Sequence, residues 1–238
     1  MALASGNHFL DSLAPADHAV LRPHLREAAL RAGAVLIEQE APVTVAVFPV
    51  DAQLANVIYL GDGASIEVSM VGHEGLAGLA PIMTNKPCGW QVAVRAPGRA
   101  WTAPAPLIRE LQASSASFLG RLLDLTQFYQ DQAAQIAACN GAHRMQARLA
   151  RWLLMALDLA PGDTVQVTQE HLAALLGGQR TTVNEAAQNL KALGAIRYGR
   201  GRIRVLDRTR LAAAACSCYE AIRQRGEDLG IRMQVAFS

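Results

Sequence analysis

The stretch from Val167 to Asp207 reads VTQEHLAALLGGQRTTVNEAAQNLKALGAIRYGRGRIRVLD and predicts two short helices followed by a hairpin. The first helix is expected to begin after Thr168, a good N-cap residue, and to end at Gly177 and Gly178. The second helix is expected to end at Gly194, a typical C-cap residue. Each helix carries an apolar face at helical spacing, formed by Leu172, Ala173, Leu175 and Leu176 in the first and by Val183, Ala186, Ala187, Leu190 and Leu193 in the second.

The outer face of the second helix is polar, and its side chains could reach base edges in the major groove of DNA. These residues are Gln179, Arg180, Thr181, Asn184, Glu185 and Gln188. A helix buried on all sides has no need of such a face. The alternative interpretation is a helical hairpin whose charged face is only solvated.

Polar and apolar residues alternate from Ile196 to Val205 around the turn at Gly199 to Gly201, which is typical of a β-hairpin and predicts a wing beside the helix pair. Basic residues outnumber acidic ones eight to two between Gln179 and Arg210, an excess suited to a phosphate backbone. The basic residues are Arg180, Lys191, Arg197, Arg200, Arg202, Arg204, Arg208 and Arg210.

The chain has 238 residues, enough for two domains of ordinary size. Its formal net charge of +2 conceals an asymmetry. Residues 1–140 carry 8 basic and 12 acidic residues (8 − 12 = −4), and residues 141–238 carry 14 and 8 (14 − 8 = +6). The two halves are therefore expected to have different partners, and only the second suits a polyanion.

The N-terminal sequence MALASGNHFLDSLA has no basic residue ahead of its apolar ones, so no signal peptide is expected. No apolar run is long enough to span a bilayer, which predicts no membrane partner. The four cysteines are expected to be reduced thiols. These features together indicate a cytoplasmic protein.

The first half of the chain predicts short helices followed by a β-roll. Residues Phe9 to Leu30 have apolar positions at helical spacing, and Pro15 and Pro23 limit the helices to short pieces. Short apolar runs separated by turn residues occupy residues 34–103, which indicates an antiparallel barrel or roll. Within them Ile66, Val68 and Met70 alternate with polar neighbours as in a half-buried strand.

A long helical segment is predicted to begin near Leu107 and to break at Asn140 and Gly141, where we place a hinge. Its apolar residues form an a and d seam that favours a partner helix; the seam residues are Leu119, Leu122, Thr126, Tyr129, Ala133 and Ile136. Burial of the whole helix within its own domain is an equal alternative. Two further helices are expected, over Arg144 to Leu159 and Arg208 to Leu229.

A roll, a seam helix, a hinge and a winged helix-turn-helix together resemble the Crp/Fnr family of bacterial transcription regulators over nearly the whole chain. The stretch from Gln169 to Leu211 carries the most specific similarity, and GDG, EVSMVGHEGLAG and QVAVRA in the roll support it. The resemblance implies an α+β fold with an N-terminal antiparallel β-roll (double-stranded β-helix, as in cyclic-nucleotide-binding domains). It also implies an effector domain over 1–139 that includes a dimerisation helix over about 107–139, and a DNA-binding domain over 140–238. The implied partners are double-stranded DNA with a palindromic promoter site, a second copy of the chain and RNA polymerase.

In this family the start of the recognition helix carries the base contacts. The resemblance therefore places them on Arg180, Thr181, Asn184 and Glu185. Contacts to the DNA backbone are expected from the helix pair and the wing, at Thr168, Gln179, Thr182, Arg200, Arg202 and Arg204. The residues at the base-reading positions differ from the best-known family patterns, so the resemblance does not imply a known operator.

The effector side departs further from the family. Cyclic-nucleotide-binding members supply a buried arginine for the phosphate, and at the matching positions this chain has Trp90 and Gln91. Glu74 could hold a ribose hydroxyl, and Arg95 is the local cation that could substitute. The roll is therefore expected to bind an unidentified effector or none, cyclic AMP is not expected to be the effector, and no cofactor is predicted.

No metal site is predicted. The first cysteine is Cys88, too late for the N-terminal iron–sulfur cluster of Fnr-type members. Cys216 and Cys218 are expected to point to different faces of one helix, and the histidines show no ligand spacing. A haem sensor that uses His73 is not indicated.

The leading hypothesis is a sequence-specific transcription regulator, which is not expected to be an enzyme or to have catalytic residues. Two other functions compete with this hypothesis. A cupin-like metal-dependent enzyme would need more ligands than His73 and Glu74 provide. A sequence-neutral architectural DNA-binding protein would not need the polar face from Arg180 to Gln188.

Overall fold

The computed structural model describes residues 5–61, 63–159, 162–199 and 201–233. It has an N-terminal domain with two sheets, a long helix, and a C-terminal helical domain with a three-stranded sheet. This arrangement confirms the predicted α+β class. Among the described residues, no helix combines the length and the apolar character needed to cross a membrane.

The N-terminal roll is built from seven of the described strands. Their bounds are β1 (Arg26–Leu30), β2 (Val35–Ile37), β3 (Val45–Pro49), β4 (Gln53–Tyr59), β5 (Ser65–Val71), β6 (Gln91–Ala96) and β7 (Gly98–Pro104). The strand orders are β1-β7-β3 and β2-β6-β4-β5, with antiparallel pairing throughout. Buried residues of both sheets, among them Phe48, Leu54 and Val94, belong to one hydrophobic core.

Two short helices open the described chain, α1 (His8–Asp11) and α2 (Pro15–Leu21), and a 3-10 turn follows over Arg22–His24. The expectation of helical structure up to Leu30 is wrong, because Arg26–Leu30 pairs with β7 as a strand. A further helix, α3 (Leu79–Thr84), lies between β5 and β6.

The two faces of β5 differ less in burial than the alternation of polar and apolar residues predicts. Glu67 and Ser69, which should face solvent, are buried. The indole Nε1 of Trp152 donates a hydrogen bond to Glu67 Oε1 at 3.1 Å, and Asn56 Nδ2 donates to the Ser69 hydroxyl at 2.8 Å. The prediction of a half-buried strand is therefore wrong, because the C-terminal domain covers the second face.

The predicted long helical segment is two helices, α4 (Ala105–Ser114) and α5 (Ala116–Ala142). Ser115 separates them, and its hydroxyl accepts a hydrogen bond from the Phe118 N–H at 3.2 Å, which caps α5. The expected break at Asn140 and Gly141 is wrong, because both residues lie in the last turn of α5. The proposed boundary between residues 139 and 140 thus falls inside this helix.

The predicted seam does not form one exposed face of α5. Leu122 is fully buried in the core of its own chain, and the Tyr129 hydroxyl donates to Glu74 Oε1 at 3.3 Å. The predicted residues do not share one exposed side, because apolar residues lie on more than one side of this helix. The residues that line the more exposed side repeat at steps of four and three; they are Leu119, Leu123, Thr126, Gln130, Ala133 and Ala137.

The C-terminal domain confirms the predicted helix pair and hairpin. Its elements are α6 (Met145–Asp158), β8 (Thr164–Gln166), α7 (Gln169–Leu176), α8 (Arg180–Ala192), β9 (Ile196–Gly199), β10 (Arg202–Val205), α9 (Arg208–Ala214) and α10 (Cys218–Asp228). The strand order is β8-β10-β9. Both predicted apolar faces are largely buried, but Leu193 is 49% exposed and is not a core residue.

The last predicted helix is divided, and this changes the environment of two cysteines. Because α9 ends at Ala214 and α10 begins at Cys218, Cys216 lies in the turn between them. The prediction that Cys216 and Cys218 share one helix and point to different faces is therefore wrong. Their thiols lie close to each other and to Cys139 and His143.

The two domains meet through α6. The Arg95 guanidinium lies over the Trp152 ring, 5.0 Å from its centroid, and forms a buried ion pair with Glu67. The Gln53 side chain donates a hydrogen bond to the carbonyl of Ala156. These contacts join strands of the roll directly to the first helix of the C-terminal domain.

Candidate nucleic-acid interface

The angle between α7 and α8 is set by the glycine pair between them. Gly177 has φ 55°, in the left-handed region, and the Gly178 N–H bonds to the Ala173 carbonyl at 3.0 Å to close the end of α7. Leu172 and Leu176 of α7 and Val183 of α8 are then buried in the domain core. With that face packed inward, the opposite face of α8 is directed outward.

The start of α8 presents the predicted base-reading residues. Arg180, Thr181 and Glu185 are exposed, and Asn184 one turn along is half-buried. Gln179 is also exposed and makes no side-chain capping hydrogen bond to α8. The first two turns therefore carry a guanidinium, a hydroxyl and a carboxylate that are accessible to a partner.

The hairpin presents arginines on its outer surface. Exposed and buried residues alternate along β10. Arg202 and Arg204 are exposed and share the outer face, and Ile203 and Val205 are buried. Arg197 of β9 stands directly opposite Arg204 in the antiparallel register. Two like charges at opposed positions repel each other, and a bound anion would relieve that repulsion.

Arg204 has a partner within the domain. Its Nε lies 2.7 Å from Asp163 Oδ2, and the hydrogen bonds from the Thr164 hydroxyl and from Arg204 lower the pKa of Asp163. The Arg204 side chain is 57% exposed and that of Asp163 is 30% exposed, so solvent weakens the pair and a phosphate could replace Asp163.

The remaining predicted backbone contacts lie around this surface. Thr168 and Thr182 are exposed, at the starts of α7 and α8 respectively. Arg200 lies outside the described residues. Sequence reasoning did not assign a contact to Arg197, although it counted this residue in the basic excess; the signal was its place in the hairpin register opposite Arg204.

Residues 147–214 match the family model of a Crp-like helix-turn-helix domain, which spans α6 to α9. Solved structures match across most of the chain. A protein described as a transcriptional regulator of the Crp/Fnr family from Eubacterium rectale matches with a TM-score of 0.69 and 18% identity over 88% of this chain and 98% of its own. The chain has the Crp/Fnr fold.

Two further structures have the same fold. FixK2 from Bradyrhizobium japonicum matches with a TM-score of 0.69 and 16% identity over 81% of this chain and 98% of its own. A transcriptional regulator of the Crp/Fnr family from Thermus thermophilus matches with a TM-score of 0.62 and 21% identity over 80% and 98%. A sequence search of curated proteins finds no match.

The Crp/Fnr fold does not bring the four predicted effector residues together. Glu74 is fully buried, where its carboxylate accepts hydrogen bonds from the Gly72 N–H at 2.8 Å and from the Tyr129 hydroxyl. Burial raises the pKa of Glu74 to about 7. Its partners are thus groups of its own loop and of α5.

The other three predicted effector residues also separate. The Gln91 side chain hydrogen-bonds to Glu38 and Tyr59 near the surface, and Arg95 is held by Glu67 and Trp152 at the domain junction. Trp90 alone of the four lines a mainly apolar cavity of about 250 Å³ between the roll and α5. The prediction of one pocket that contains Glu74, Trp90, Gln91 and Arg95 is therefore wrong.

Proposed function

We propose that the protein is a sequence-specific DNA-binding transcription regulator of the Crp/Fnr type, which binds a two-fold symmetric promoter site as a homodimer. One observation carries the proposal: the exposed polar start of α8 lies in the same small domain as an outward-facing row of hairpin arginines. Base-reading groups and phosphate-binding groups are the two sets of contacts that a specific DNA-binding protein needs.

Within this proposal each group has a distinct role. Arg180 donates two hydrogen bonds to guanine, and Asn184 is suited to adenine. Thr181 and Glu185 are the other base-reading candidates, with the carboxylate suited to a cytosine amino group. Thr168, Gln179, Thr182, Arg202 and Arg204 contact the DNA backbone, and the register adds Arg197 to them. Contact with RNA polymerase, by analogy with regulators of this fold, is a further part of the proposal.

The proposed dimer forms along the exposed side of α5. Leucine, threonine, glutamine and alanine side chains there repeat with the a and d spacing of a coiled coil, and Leu123 is 52% exposed. The buried side of the same helix packs in its own chain through Phe118, Leu122, Leu125 and Phe128. The proposed seam thus lies on the exposed side of α5, and the opposite side of the helix packs within its own chain.

We expect Leu123→Glu to convert a dimer into a monomer, because it places charges opposite each other in the seam. Sedimentation of wild type and variant measures this. Leu206→Glu is the control, since Leu206 is 49% exposed and lies outside α5, between β10 and α9. A monomeric wild type, or a Leu123→Glu variant that sediments as the same dimer, would refute the proposed seam.

The cavity between the roll and α5 supports an effector other than cyclic AMP. None of the described residues that line it is a lysine or arginine, so a cyclic phosphate would be buried without a counter-charge, at a cost of several kcal/mol. Asn56 Oδ1 and Trp90 Nε1 are buried there without a hydrogen-bond partner in the described parts of the chain. We propose that this cavity takes a small, largely apolar effector with a few polar atoms.

Salt dependence tests the DNA-binding step. Titration of a labelled random duplex at several salt concentrations should show log K falling linearly with log salt for the wild type. Arg202→Ala and Arg204→Ala should each weaken binding to all sequences alike and reduce the slope by about 0.9 for each phosphate that is no longer neutralised, or roughly 1.8 in a dimer. Arg225→Ala, an exposed arginine on α10, is the control and should leave the slope unchanged. Equal slopes for all four proteins would contradict the assignment of phosphate contacts to the hairpin.

The rival functions have less support. A cupin-like enzyme would use His73 and Glu74, but the metal-ligand group found among the described residues includes neither. Burial lowers the pKa of His73 to about 4, and its ring packs on His8 with 4.8 Å between centroids. An architectural protein would bind selected and random DNA alike, and selection of bound sites from random DNA would then enrich no sequence.

A further inference from the structure

Four potential metal ligands converge where the end of α5 meets the turn between α9 and α10. Cys139, His143, Cys216 and Cys218 each direct a ligand atom to this point, and these atoms all lie within 4.8 Å of one another. The three cysteines and the histidine are buried or half-buried. They come from sequence positions nearly eighty residues apart, so only the folded chain brings them together.

The backbone positions the ligands in two pairs. His143 directly follows the last residue of α5, and its N–H donates to the Cys139 carbonyl at 3.0 Å, which holds the two residues next to each other at the end of the helix. Cys216 and Cys218 can converge because Cys216 lies in the turn before α10 begins.

The spacing fits a single tetrahedral ion. The Sγ atoms of Cys139 and Cys216 are 3.4 Å apart, and Cys218 Sγ is 3.5 Å from His143 Nδ1. Typical bond lengths of about 2.3 Å for zinc to sulfur and about 2.1 Å for zinc to nitrogen give tetrahedral edges of about 3.8 Å between two sulfurs and about 3.6 Å between sulfur and nitrogen. To hold one ion, these two edges would lengthen by a few tenths of an ångström, and the longest edge, which is at most 4.8 Å, would shorten by at most about 1 Å.

The surrounding charges favour an anionic group at this point. Arg148 and Arg151 of α6 are both buried, and none of the described carboxylates forms an ion pair with either of them. Both guanidinium groups interact electrostatically with Cys139, and Arg148 also with Cys216. Buried cations require compensation. Three thiolates around a divalent cation carry a net charge of −1 and would provide it.

A polar side chain outside the group of four also contacts one of the proposed ligands. Gln135, one turn before Cys139 on α5, donates a hydrogen bond from Nε2 to Cys218 Sγ at 3.1 Å. Groups in this outer position orient metal ligands and stabilise thiolate charge.

We propose that Cys139, His143, Cys216 and Cys218 bind one zinc ion that fastens the α9–α10 turn to the end of α5. Four protein ligands leave no open position, so the ion is structural, and the predominance of thiolates favours zinc over hard cations. Binding deprotonates the three thiols, and their protons pass to solvent. Because α5 and α10 pack against each other here, the ion fixes the relative position of α5 and the last helices of the C-terminal domain.

The experiment uses the full chain, isolated under reducing conditions without chelators. We expect one zinc per chain by elemental analysis. After removal of zinc, titration with cobalt should give the visible bands of a tetrahedral cobalt–thiolate site that saturate at one ion per chain. Cys216→Ser should weaken cobalt binding by more than about 100-fold, the upper limit for the loss of an outer partner. Cys88→Ser is the matched control, because Cys88 is a buried cysteine of the roll outside the group, and it should bind cobalt like the wild type.

The main alternative is a disulfide between Cys139 and Cys216, whose sulfurs already lie in contact. A wild-type protein that is folded and reduced, and yet shows neither stoichiometric zinc nor the tetrahedral cobalt bands, would overturn the proposal. Bands that appear in Cys216→Ser at the same cobalt concentrations as in the wild type would do the same. If Cys216→Ser does not fold, the wild type with its thiols blocked by an alkylating reagent takes the place of this variant. The alkylated wild type must then lack the cobalt bands, and unalkylated Cys88→Ser must still show them.

Discussion

Arg95→Ala is expected to destabilise the protein by about 3–5 kcal/mol, the usual cost of removing one partner from a buried ion pair. The Arg95 and Glu67 side chains are only 5% and 4% exposed, so the variant leaves a carboxylate buried with the Trp152 indole as its remaining described partner. It also removes the contact between the guanidinium and the indole ring. Chemical denaturation followed by far-ultraviolet circular dichroism measures the change in the free energy of unfolding.

Arg99→Ala is the matched control for this effect. Arg99 is an arginine of the next strand that pairs with Asp51 and Glu27, but its side chain is 59% exposed, so the expected cost is under about 1 kcal/mol. Combining Arg95→Ala with Glu67→Gln should recover part of the stability, because the second change removes the unpaired charge. Equal effects of Arg95→Ala and Arg99→Ala would contradict a structural role for Arg95 at the domain junction.

Arg180→Ala is expected to lower affinity for the preferred DNA site by about 5- to 150-fold, equivalent to roughly 1–3 kcal/mol for removal of a bidentate hydrogen-bond pair to guanine. Selectivity should relax at one base pair in each half-site. Affinity for random DNA should change much less, because phosphate contacts supply most of it. Competition titrations with preferred and random duplexes measure both quantities.

Arg225→Ala again serves as the control, because it removes the same charge from an exposed position outside α8 and the hairpin. It should leave both affinities unchanged. If Arg180→Ala lowers affinity for preferred and random DNA by the same factor, α8 does not read bases through this residue.

The DNA-binding unit could be predicted from sequence because its signals are local. The apolar faces of α7 and α8 repeat within one helix each, and glycines mark both helix ends. Hairpin alternation from Ile196 to Val205 is likewise a short-range pattern. Such local patterns predict the final structure correctly because the tertiary contacts of this domain agree with the local preferences of its sequence.

The errors lie where distant contacts decide the structure. Arg26–Leu30 reads REAAL, whose residues favour a helix, but pairing with β7 makes it a strand. The apolar residues of α5 serve two surfaces, so their spacing alone does not separate Leu122, which is buried, from Leu123, which is exposed.

The effector residues and the cysteine group were mispredicted for the same reason. Arg95 lies within the QVAVRA motif of the roll, yet its partner Trp152 belongs to the other domain. Likewise, Cys139 and His143 meet Cys216 and Cys218 only because α10 packs against α5. A sequence without structural information contains no local signal for either contact.

Selection of bound sites from a pool of random duplex DNA tests the central claim most directly, because it reports DNA binding, sequence preference and dimer symmetry together. We predict an enriched two-fold symmetric sequence whose half-sites are about one helical turn apart, roughly 34–36 Å between centres. The enriched sequence should lose its preference at one base pair of each half-site when Arg180→Ala is selected in parallel. A pool in which no sequence is enriched, or in which only a single asymmetric half-site emerges, would contradict a sequence-specific dimeric regulator.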